Sequence, residues 1–537
     1  MKRFMALMLT MLMLFTLVAC ASNTDSGSNV GSGNSGNNGS PNAVNGNSDI
    51  AAKKDSIVVV TGAEPDSFVT FNPDNVAQSD EFPVLHNIYE TLFKRTADGV
   101  VEPLLAKSYE VSDDGTEYTI HLRDDVYFSN GQKMTAADVA FSYNINGNFP
   151  SAAALWGNYD YTEVIDEYTV KVHLTAGYYP IVNTFCSRYG LIYSEAYYNE
   201  VGAQGYSDNP VGTGPYIMSE RVSGDHIQLD YNEKYWGTEP TYKHITLRFM
   251  SDTNTQIMAL ESGEADAIIN ADLSQCLKLD NNKFGYSTTD GAVIQHLRLN
   301  CTKGLCTDIN FRKALQYALD REQINLGVFE GMATIVNCYG TPSFTGYPDD
   351  GTYTPVPDRD LEKAKEYLAA ANYKGEEFVI MTPAGSKNEL AAQIIQGQLI
   401  EAGINATVSA LDAVTYSAAT DYGTGDFDAV VRAGTVSTIS MDGIYLYFNG
   451  DYIKGMSNTQ YRWMEPDDRF TELTNAARAT TDEAKLKEIY AEVSGIVNEN
   501  VWTIPIYCEV CVAAFNKEIE NVVPGALQGL YYFNDWK

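Results

Sequence analysis

The stretch from Ala106 to Tyr143 constrains the fold more than any other part of the chain, because its 38 residues specify two strands, two turns and the start of a helix. Ser112–Gly115 reads Ser-Asp-Asp-Gly, a composition typical of a tight turn. Directly after it, apolar and polar residues alternate from Tyr118 to Arg123. This alternation predicts a hairpin strand with one buried face.

The second part of this stretch predicts a turn followed by a helix. Ser129–Gly131 contains the Asn-Gly pair of a tight turn. Thr135 can accept hydrogen bonds from the N–H groups that the first helical turn leaves unpaired, and the helix dipole favours the negative charge of Asp138. Val139 and Tyr143, one helical turn apart, then mark the face that packs inward.

These residues resemble the signature of the family 5 extracellular solute-binding proteins, the oligopeptide- and dipeptide-binding components of ABC importers. That signature joins an acidic turn, a Tyr-x-Ile-x-Leu-Arg strand, an aromatic residue followed by Asn-Gly, and a Thr-Ala-x-Asp-Val helix start. In this chain the four parts are residues 112–115, 118–123, 128–131 and 135–139. Further similar segments lie at 87–92, 209–216, 232–237, 262–266, 310–321, 358–373, 394–403 and 462–506. The resemblance therefore covers essentially everything after residue 48.

The resemblance implies an α/β, two-lobed periplasmic-binding-protein fold of type II, similar to cluster C, with an extra small domain inserted in the first lobe. The alternation of strand and helix patterns along the chain agrees with an α/β class. We expect lobe I to consist of residues 53–95, 205–290 and 507–537. The inserted domain is expected at 96–204 and lobe II at 291–506.

The first 52 residues predict a lipoprotein leader and a tether. A Lys-Arg pair precedes an apolar run that is short for a membrane span, which indicates a secretory signal over residues 1–19. The run ends in Leu-Val-Ala-Cys, which looks like a lipobox with Cys20 as the lipidated residue; a plain signal peptide with an incidental cysteine is the alternative. Residues 20–52 are rich in Ser, Asn and Gly, a composition that predicts a flexible tether.

The charge of the chain argues against some classes of partner. Its 36 Lys and Arg against 70 Asp and Glu give a formal net charge of -34. A surface this acidic disfavours nucleic acid and anionic lipid headgroups. We therefore expect no nucleic-acid partner and contact with the membrane through the lipid anchor only.

The cysteines and the catalytic motifs give little support to a metal site or an enzyme. Seven cysteines remain after Cys20, and Cys301 and Cys306 could form a disulfide across a short loop, with free thiols as the alternative. Cys508 and Cys511 lie in a strand-like run, where residues three apart point to opposite faces, so we expect no metal there. The body contains neither His-Glu-x-x-His nor Gly-x-Ser-x-Gly. We expect no cofactor and no catalysis, with a secreted hydrolase or an adhesin as remote alternatives.

The ligand is the least determined feature of the sequence. Peptide-binding members hold the ligand's ammonium group with an aspartate that soon follows a Gly-Trp step after a Phe-Asp strand. This chain has the strand at Phe427–Val431 but lacks both the tryptophan and the aspartate; the equivalent position is Ser437 or Thr438, and Asp442 is the nearest acid. Hydroxyl groups in place of a carboxylate would also suit an oligosaccharide or another neutral ligand.

The candidate ligand-binding residues come from two parts of the chain. By the resemblance, Ser79–Phe82 lies near the ligand, although an acidic turn that caps a helix explains Asp80 and Glu81 equally well. The complete candidate set is Asp80, Glu81, Phe82, His296, Thr435, Ser437, Thr438, Asp442 and Tyr445.

The expected function follows from the family. The resemblance implies an extracytoplasmic receptor that captures oligopeptides or dipeptides in a hinged cleft and delivers them to the permease subunits of an ABC importer. We expect a monomer, lipid-anchored at the outer face of the cytoplasmic membrane in a Gram-positive-type envelope. Closure of the cleft around the ligand would let the permease distinguish loaded from empty receptor.

Overall fold

The structure is a computed structural model of the chain. It describes residues 54–65, 67–70, 82–96, 100–149, 153–420, 427–435, 438–455, 463–464, 467–527 and 529–537. The predicted signal sequence, the lipidation site Cys20 and the tether lie outside the described residues.

The described residues contain seventeen strands. They are β1 (Ser56–Thr61), β2 (Phe93–Arg95), β3 (Val101–Pro103), β4 (Ala106–Val111), β5 (Glu117–Leu122), β6 (Tyr159–Asp166), β7 (Thr169–Leu174), β8 (Tyr216–Val222), β9 (His226–Tyr231), β10 (His244–Phe249), β11 (Ala267–Ile269), β12 (Phe284–Leu299), β13 (Thr334–Ile335), β14 (Phe378–Pro383), β15 (Ala406–Leu411), β16 (Ala429–Thr435) and β17 (Thr503–Asn516).

The same residues contain sixteen α-helices. They are α1 (Phe82–Ile88), α2 (Ala136–Gly147), α3 (Ala153–Trp156), α4 (Ile181–Phe185), α5 (Glu195–Asp208), α6 (Thr253–Ser262), α7 (Leu273–Cys276), α8 (Ile309–Ala318), α9 (Arg321–Phe329), α10 (Leu361–Ala370), α11 (Lys387–Glu401), α12 (Ala413–Thr420), α13 (Met441–Tyr445), α14 (Gly450–Gly455), α15 (Asp468–Arg478) and α16 (Glu483–Asn500).

One large mixed sheet runs through the described body. Its strand order is β15-β14-β16-β12-β17-β11-β1-β10-β9-β8, with β13 paired to β17. The long strands β12 and β17 lie at its centre and pair with each other in antiparallel fashion. We call the strands on the β11 side, with the elements packed on them, the first half, and those on the β16 side the second half. The chain passes from one half to the other along β12 and returns along β17.

The register between β12 and β17 is interrupted where the two halves meet. From Phe284 to Asp290 the residues of β12 pair continuously with β17, and pairing then resumes at Ile294 after a bulge. A bulge removes ladder hydrogen bonds and bends the strand. We call residues 290–294 and 508–510 the hinge, because the two halves are joined by paired strands that are locally weakened there.

Each half packs a hydrophobic core on both faces of the sheet. In β16, Val430 faces one core while Ala429 and Val431 face another. In β1, Val59 likewise faces one core and Val60 faces another. The C-terminal residues 526–533 contribute side chains to one core of each half, which identifies the side that we call the front.

A smaller sheet of four strands stands apart from the large one, in the order β4-β5-β7-β6. It lies within the range predicted for an inserted domain, and it has its own core with α2, α3 and α4. Hydrogen bonds from Thr70 to Asn146 and from Tyr193 to Ser142 tie α2 to the first half. The exact boundaries of the lobes and of the inserted domain stay predictions.

The local expectations for the signature stretch are confirmed. Tyr118, Ile120 and Leu122 are buried along β5 and their neighbours are half-buried. Gly115 has a positive φ of 68°, as its turn requires. Thr135 caps α2 in a capping box with Asp138.

Two elements differ in length from what their sequence patterns predict. The pattern from Asn310 to Arg321 predicts one helix, but α8 ends at Ala318, because Asp320 accepts a hydrogen bond from Gln323 N–H and starts α9 instead. The pattern from Ile294 to Asn300 predicts a strand, but β12 begins ten residues earlier, at Phe284. The first part of β12 is half-exposed and polar, so it lacks the apolar run that marks the rest.

All seven cysteines of the described residues are free thiols, so Cys301 and Cys306 are not bridged.

The glycines of the Asn209–Tyr216 segment are explained by close approach of the backbone. A Cβ on Gly212 would overlap with the carbonyl oxygen of Ile88, and one on Gly214 would lie 2.7 Å from that same atom. Gly214 N–H donates a 2.8 Å hydrogen bond to it. The segment therefore packs against the end of α1 without room for a side chain.

We expect Gly212→Ala to destabilise the protein by roughly 2 to 3 kcal/mol, because the methyl group meets backbone that can move only with α1. Gly397→Ala is the matched control: Gly397 is exposed in α11 with no atom near its added Cβ, and the helix should gain about 1 kcal/mol. Urea denaturation of both variants measures the difference. Equal stability of the two variants would contradict the close packing.

Three segments that resemble the family meet at Glu90, directly after α1. The Glu90 carboxylate accepts a hydrogen bond of 2.8 Å from Trp236 Nε1 and one of 3.3 Å from Tyr235 Oη. The guanidinium of Arg123, which follows β5, lies 4.1 Å from the Trp236 ring centroid. Burial raises the pKa of Glu90 to about 7, against the weaker lowering effect of its hydrogen bonds. These segments thus build the framework of the first half.

Glu90 should make the stability of the protein depend on pH. Its folded pKa of about 7 lies above the ordinary 4.5, so its contribution is fully present below pH 4.5 and is lost as the pH rises through 7. Relative to Glu90→Gln, wild-type protein should lose about 3 kcal/mol over this window. Unfolding free energies at about pH 4.5 and pH 7.5 test this. Glu264→Gln, at an exposed carboxylate, is the control for replacing a glutamate by glutamine.

Candidate ligand-binding cleft

The two halves touch on the front side through a short segment between β7 and α4. The Tyr178 hydroxyl donates a hydrogen bond of 3.0 Å to Oδ2 of Asp442, in α13. The neighbouring Tyr179 N–H donates one of 2.8 Å to the carbonyl oxygen of Arg478, at the end of α15. Tyr178 belongs to the core of the small sheet, whereas Asp442 and Arg478 belong to the second half. These bonds therefore join the small sheet to the second half. Within the large sheet, only β12 and β17 connect the two halves.

A second contact between the halves lies beside the first. Arg95 Nη2, at the end of β2, donates a hydrogen bond of 3.0 Å to Thr345 Oγ1. Asn183 Oδ1 in α4 accepts from both Arg95 Nη2 and Thr345 Oγ1. Burial lowers the pKa of Arg95. The segment 178–183 thus contacts the second half through residues at both ends of the segment.

Asp442 and Arg478 form a buried ion pair inside the second half. Arg478 Nε lies 2.5 Å from Asp442 Oδ1, and the two side chains are 20% and 5% exposed. Burial alone would lower the pKa of Arg478, but the adjacent carboxylate outweighs it, and the net shift is upward. Burial and the same carboxylate raise the pKa of Tyr178. With Arg478 on one oxygen and Tyr178 on the other, the Asp442 carboxylate is hydrogen-bonded on both sides.

The segment that carries Asp442 is fixed to Thr345 through the main chain. Thr345 N–H donates to the Ile439 carbonyl oxygen at 3.1 Å, and Met441 N–H donates to the Thr345 carbonyl oxygen at 3.0 Å. Ser440 Oγ then caps α13 by accepting from Gly443 N–H. Both contact points on the second half are therefore parts of one small structure, residues 438–442 with Thr345.

Helix α1 and the C-terminal segment contribute aromatic rings to the front side. The rings of His86 and Tyr532 meet edge to face with centroids 6.2 Å apart. Burial, with a smaller effect from the charge of Arg188, lowers the pKa of His86 to about 4. His86 is therefore neutral at physiological pH.

The predicted ligand-binding residues divide into three groups by position. Asp80, Glu81 and Ser437 lie outside the described residues, and so do the side chains of Phe82, which starts α1, and Thr435, which ends β16. Thr438 and Asp442 lie in the structure just described, and Thr438 Oγ1 is 3.4 Å from Ser440 Oγ. Their role as ligand contacts stays a prediction.

His296 and Tyr445 lie inside the core of the second half. His296 Nδ1 is 2.5 Å from Thr503 Oγ1 and its Nε2 is 3.1 Å from Tyr339 Oη. Tyr445 Oη is 3.0 Å from Ser494 Oγ. Each of the two side chains is 1% exposed. In this arrangement both have their polar atoms engaged by the protein, which gives no support to a ligand contact.

No sequence pattern pointed to Tyr178, Arg478, Arg95 or Thr345 as site residues. Tyr178 and Asp442 are 264 residues apart, and Arg478 is 36 residues from Asp442. Arg478 carries one visible signal, because a basic residue at a helix C-terminus complements the dipole. That signal alone does not distinguish it from any other surface arginine.

The described contacts give a protein in two halves, hinged on two strands and meeting across a front face. The family model of the bacterial extracellular solute-binding proteins, family 5 Middle, matches residues 100–455, which is 356 of the 537 residues. The chain belongs to this family. It is thus a solute-binding protein of the kind that works with ABC permeases, and its family and fold are those of receptors.

Individual relatives agree with the family. The chain is 29% identical over 486 residues to the glutathione-binding protein GsiB of Escherichia coli O1:K1 / APEC, covering 88% of this chain and 92% of the relative. The ABC transporter substrate-binding protein CtaP from Listeria monocytogenes superposes with a TM-score of 0.79 at 22% identity, over 90% of this chain and 99% of that one. DppA from Helicobacter pylori, solved with the peptide STSA, gives 0.73 at 22% identity, over 90% and 97%. The two-lobed type II fold is confirmed.

In the part of the chain that the structure describes, no helix combines the length and the apolar character needed to cross a membrane.

We expect Arg478→Met to destabilise the protein by roughly 3 to 5 kcal/mol, because it leaves the Asp442 carboxylate buried without its counter-ion. The matched control is Arg469→Met, whose partner Glu492 is 49% exposed, and its cost should stay below about 1 kcal/mol. Chemical denaturation of the three proteins measures both values. Similar small losses would show that the buried pair contributes no more than a surface pair.

Proposed function

We propose that this protein captures short peptides, with glutathione and other di- and tripeptides as the first candidates, and delivers them to an ABC permease. The observation that carries the ligand class is the likeness to a glutathione-binding protein along nearly its full length. The fold supports the mode of capture, since two halves on a strand hinge can close over a small ligand from the front.

The proposed site lies on the front side, between α1 and Thr438. Helix α1 supplies one wall and the C-terminal segment around Tyr532 another. Thr438 belongs to the small structure that also holds Asp442. A ligand between these elements would touch both halves, and its binding energy would then favour the closed arrangement.

A neutral ligand such as an oligosaccharide is the second candidate, and one observation favours it. The Asp442 carboxylate, the nearest acid to the position where peptide-binding members hold an ammonium group, is already neutralised by Arg478. The hydroxyl groups of residues 435–440 can bind a sugar as well as a peptide.

Thermal unfolding of the purified protein with separate ligand pools tests this assignment. Glutathione or pooled di- and tripeptides should raise the melting temperature, since a ligand at 100 times its Kd stabilises the native state by about 2.7 kcal/mol. Pooled oligosaccharides are the comparison. Peptides acetylated at the amino terminus show whether the protein binds the ligand's ammonium group. A shift with oligosaccharides alone would replace the peptide assignment with the neutral-ligand one.

We further propose that the protein is lipid-anchored through Cys20 at the outer face of the cytoplasmic membrane and acts as a monomer. The leader and tether composition support the anchor. Metabolic labelling with a radioactive fatty acid, compared between wild type and Cys20→Ala, measures it: label should enter the wild type alone.

A further inference from the structure

We propose that Tyr178, Asp442 and Arg478 form a closure latch, which holds the two halves together on the front side. The inference rests on the proposed function, because it assigns the contacts that stabilise the ligand-bound arrangement. Under it Asp442 is a positioning residue that acts through Tyr178, and the ligand's ammonium group is not its partner.

The geometry of the ion pair supports this role. Arg478 already satisfies Asp442 Oδ1 at 2.5 Å from within the same half. The oxygen that remains, Oδ2, is turned towards the other half and accepts from the Tyr178 hydroxyl at 3.0 Å. An acceptor that is charged and 5% exposed gains much from such a bond, because a hydrogen bond to a buried charge is stronger than one between neutral groups.

Tyr178 is packed into its own half, so its hydrogen bond to Asp442 breaks when the two halves move apart. Its ring fills the space above Gly157, where a Cβ would come within 2.6 Å of it. Its carbonyl oxygen lies 3.4 Å from Tyr118 Oη. A rotation about the hinge would carry Tyr178 away from Asp442 as a unit with the small sheet, and water would then have to replace the hydroxyl group.

The latch is connected to the residues that follow the predicted ligand contact Thr438. Thr345 is bonded to residues 439 and 441 through two main-chain hydrogen bonds. Thr345 also meets Arg95 and Asn183 of the first half. A displacement of residues 438–441 would therefore reach both contact points at once.

Tyr178→Phe is the main test, because it removes one hydroxyl group and keeps the ring in its core. Because opening about the hinge would break this bond, its loss should weaken the affinity for the bound peptide about tenfold, mainly through faster dissociation. Tyr216→Phe is the matched control: its hydroxyl donates at 2.8 Å to the Tyr242 carbonyl oxygen within the first half. That variant should leave the affinity unchanged.

Hydrogen exchange without any ligand gives a second readout that does not depend on the proposed function. The Tyr179 N–H bonds to the Arg478 carbonyl oxygen across the two halves, so its exchange follows opening. Tyr178→Phe should accelerate exchange of this amide, and Tyr216→Phe should not. Unchanged exchange together with unchanged affinity in Tyr178→Phe would overturn the latch. If wild-type protein binds none of the peptides, the proposed function fails while this comparison still tests the latch.

Asp442→Asn separates the latch from an ammonium site. A latch residue should lose affinity equally for peptides with free and with acetylated amino termini, and in parallel with Tyr178→Phe. A loss confined to peptides with a free amino terminus, with Tyr178→Phe unaffected, would overturn the proposal and make Asp442 the partner of the ligand's ammonium group.

Discussion

The antiparallel pairing of β12 and β17 is the constraint on which the rest of the structure depends. The two strands are the centre of the large sheet, so every hydrogen-bonded strand of one half reaches the other through them. Their pairing is interrupted between Asp290 and Ile294, where the halves meet. A continuous ladder would make the sheet one stiff unit, whereas two paired strands with a bulge permit rotation without loss of either core.

Given that hinge, contacts on the front side hold the two halves together. The polar ones concentrate at residues 178–183 on one side and at Thr345, Asp442 and Arg478 on the other. Polar contacts of this kind can be exchanged for water when the halves separate, unlike a hydrophobic interface. This suits a receptor whose ligand must tip the balance between open and closed states by its own binding energy.

The segments that resemble the family mark the framework of the first half and say little about the ligand. Glu90, Arg123 and Trp236 meet in one cluster, and Gly212 and Gly214 fit against the carbonyl oxygen of Ile88. Few replacements are tolerated at these positions. The Glu90 carboxylate is buried, and the backbone at Gly212 and Gly214 leaves no room for a Cβ atom. Of the predicted site residues, by contrast, His296 and Tyr445 lie in the core, and Asp442 is paired with Arg478.

The sequence by itself determined the fold class, the β5 hairpin strand and the capped start of α2, because those depend on local alternation, turn residues and capping groups. It did not determine where the helix after Asn310 ends or how far β12 extends, since a local cap and a polar half-exposed strand override the expected period. Only the tertiary structure brought Tyr178 to Asp442. A hydrogen bond between residues 264 positions apart depends on how the two halves meet, and no local pattern records that.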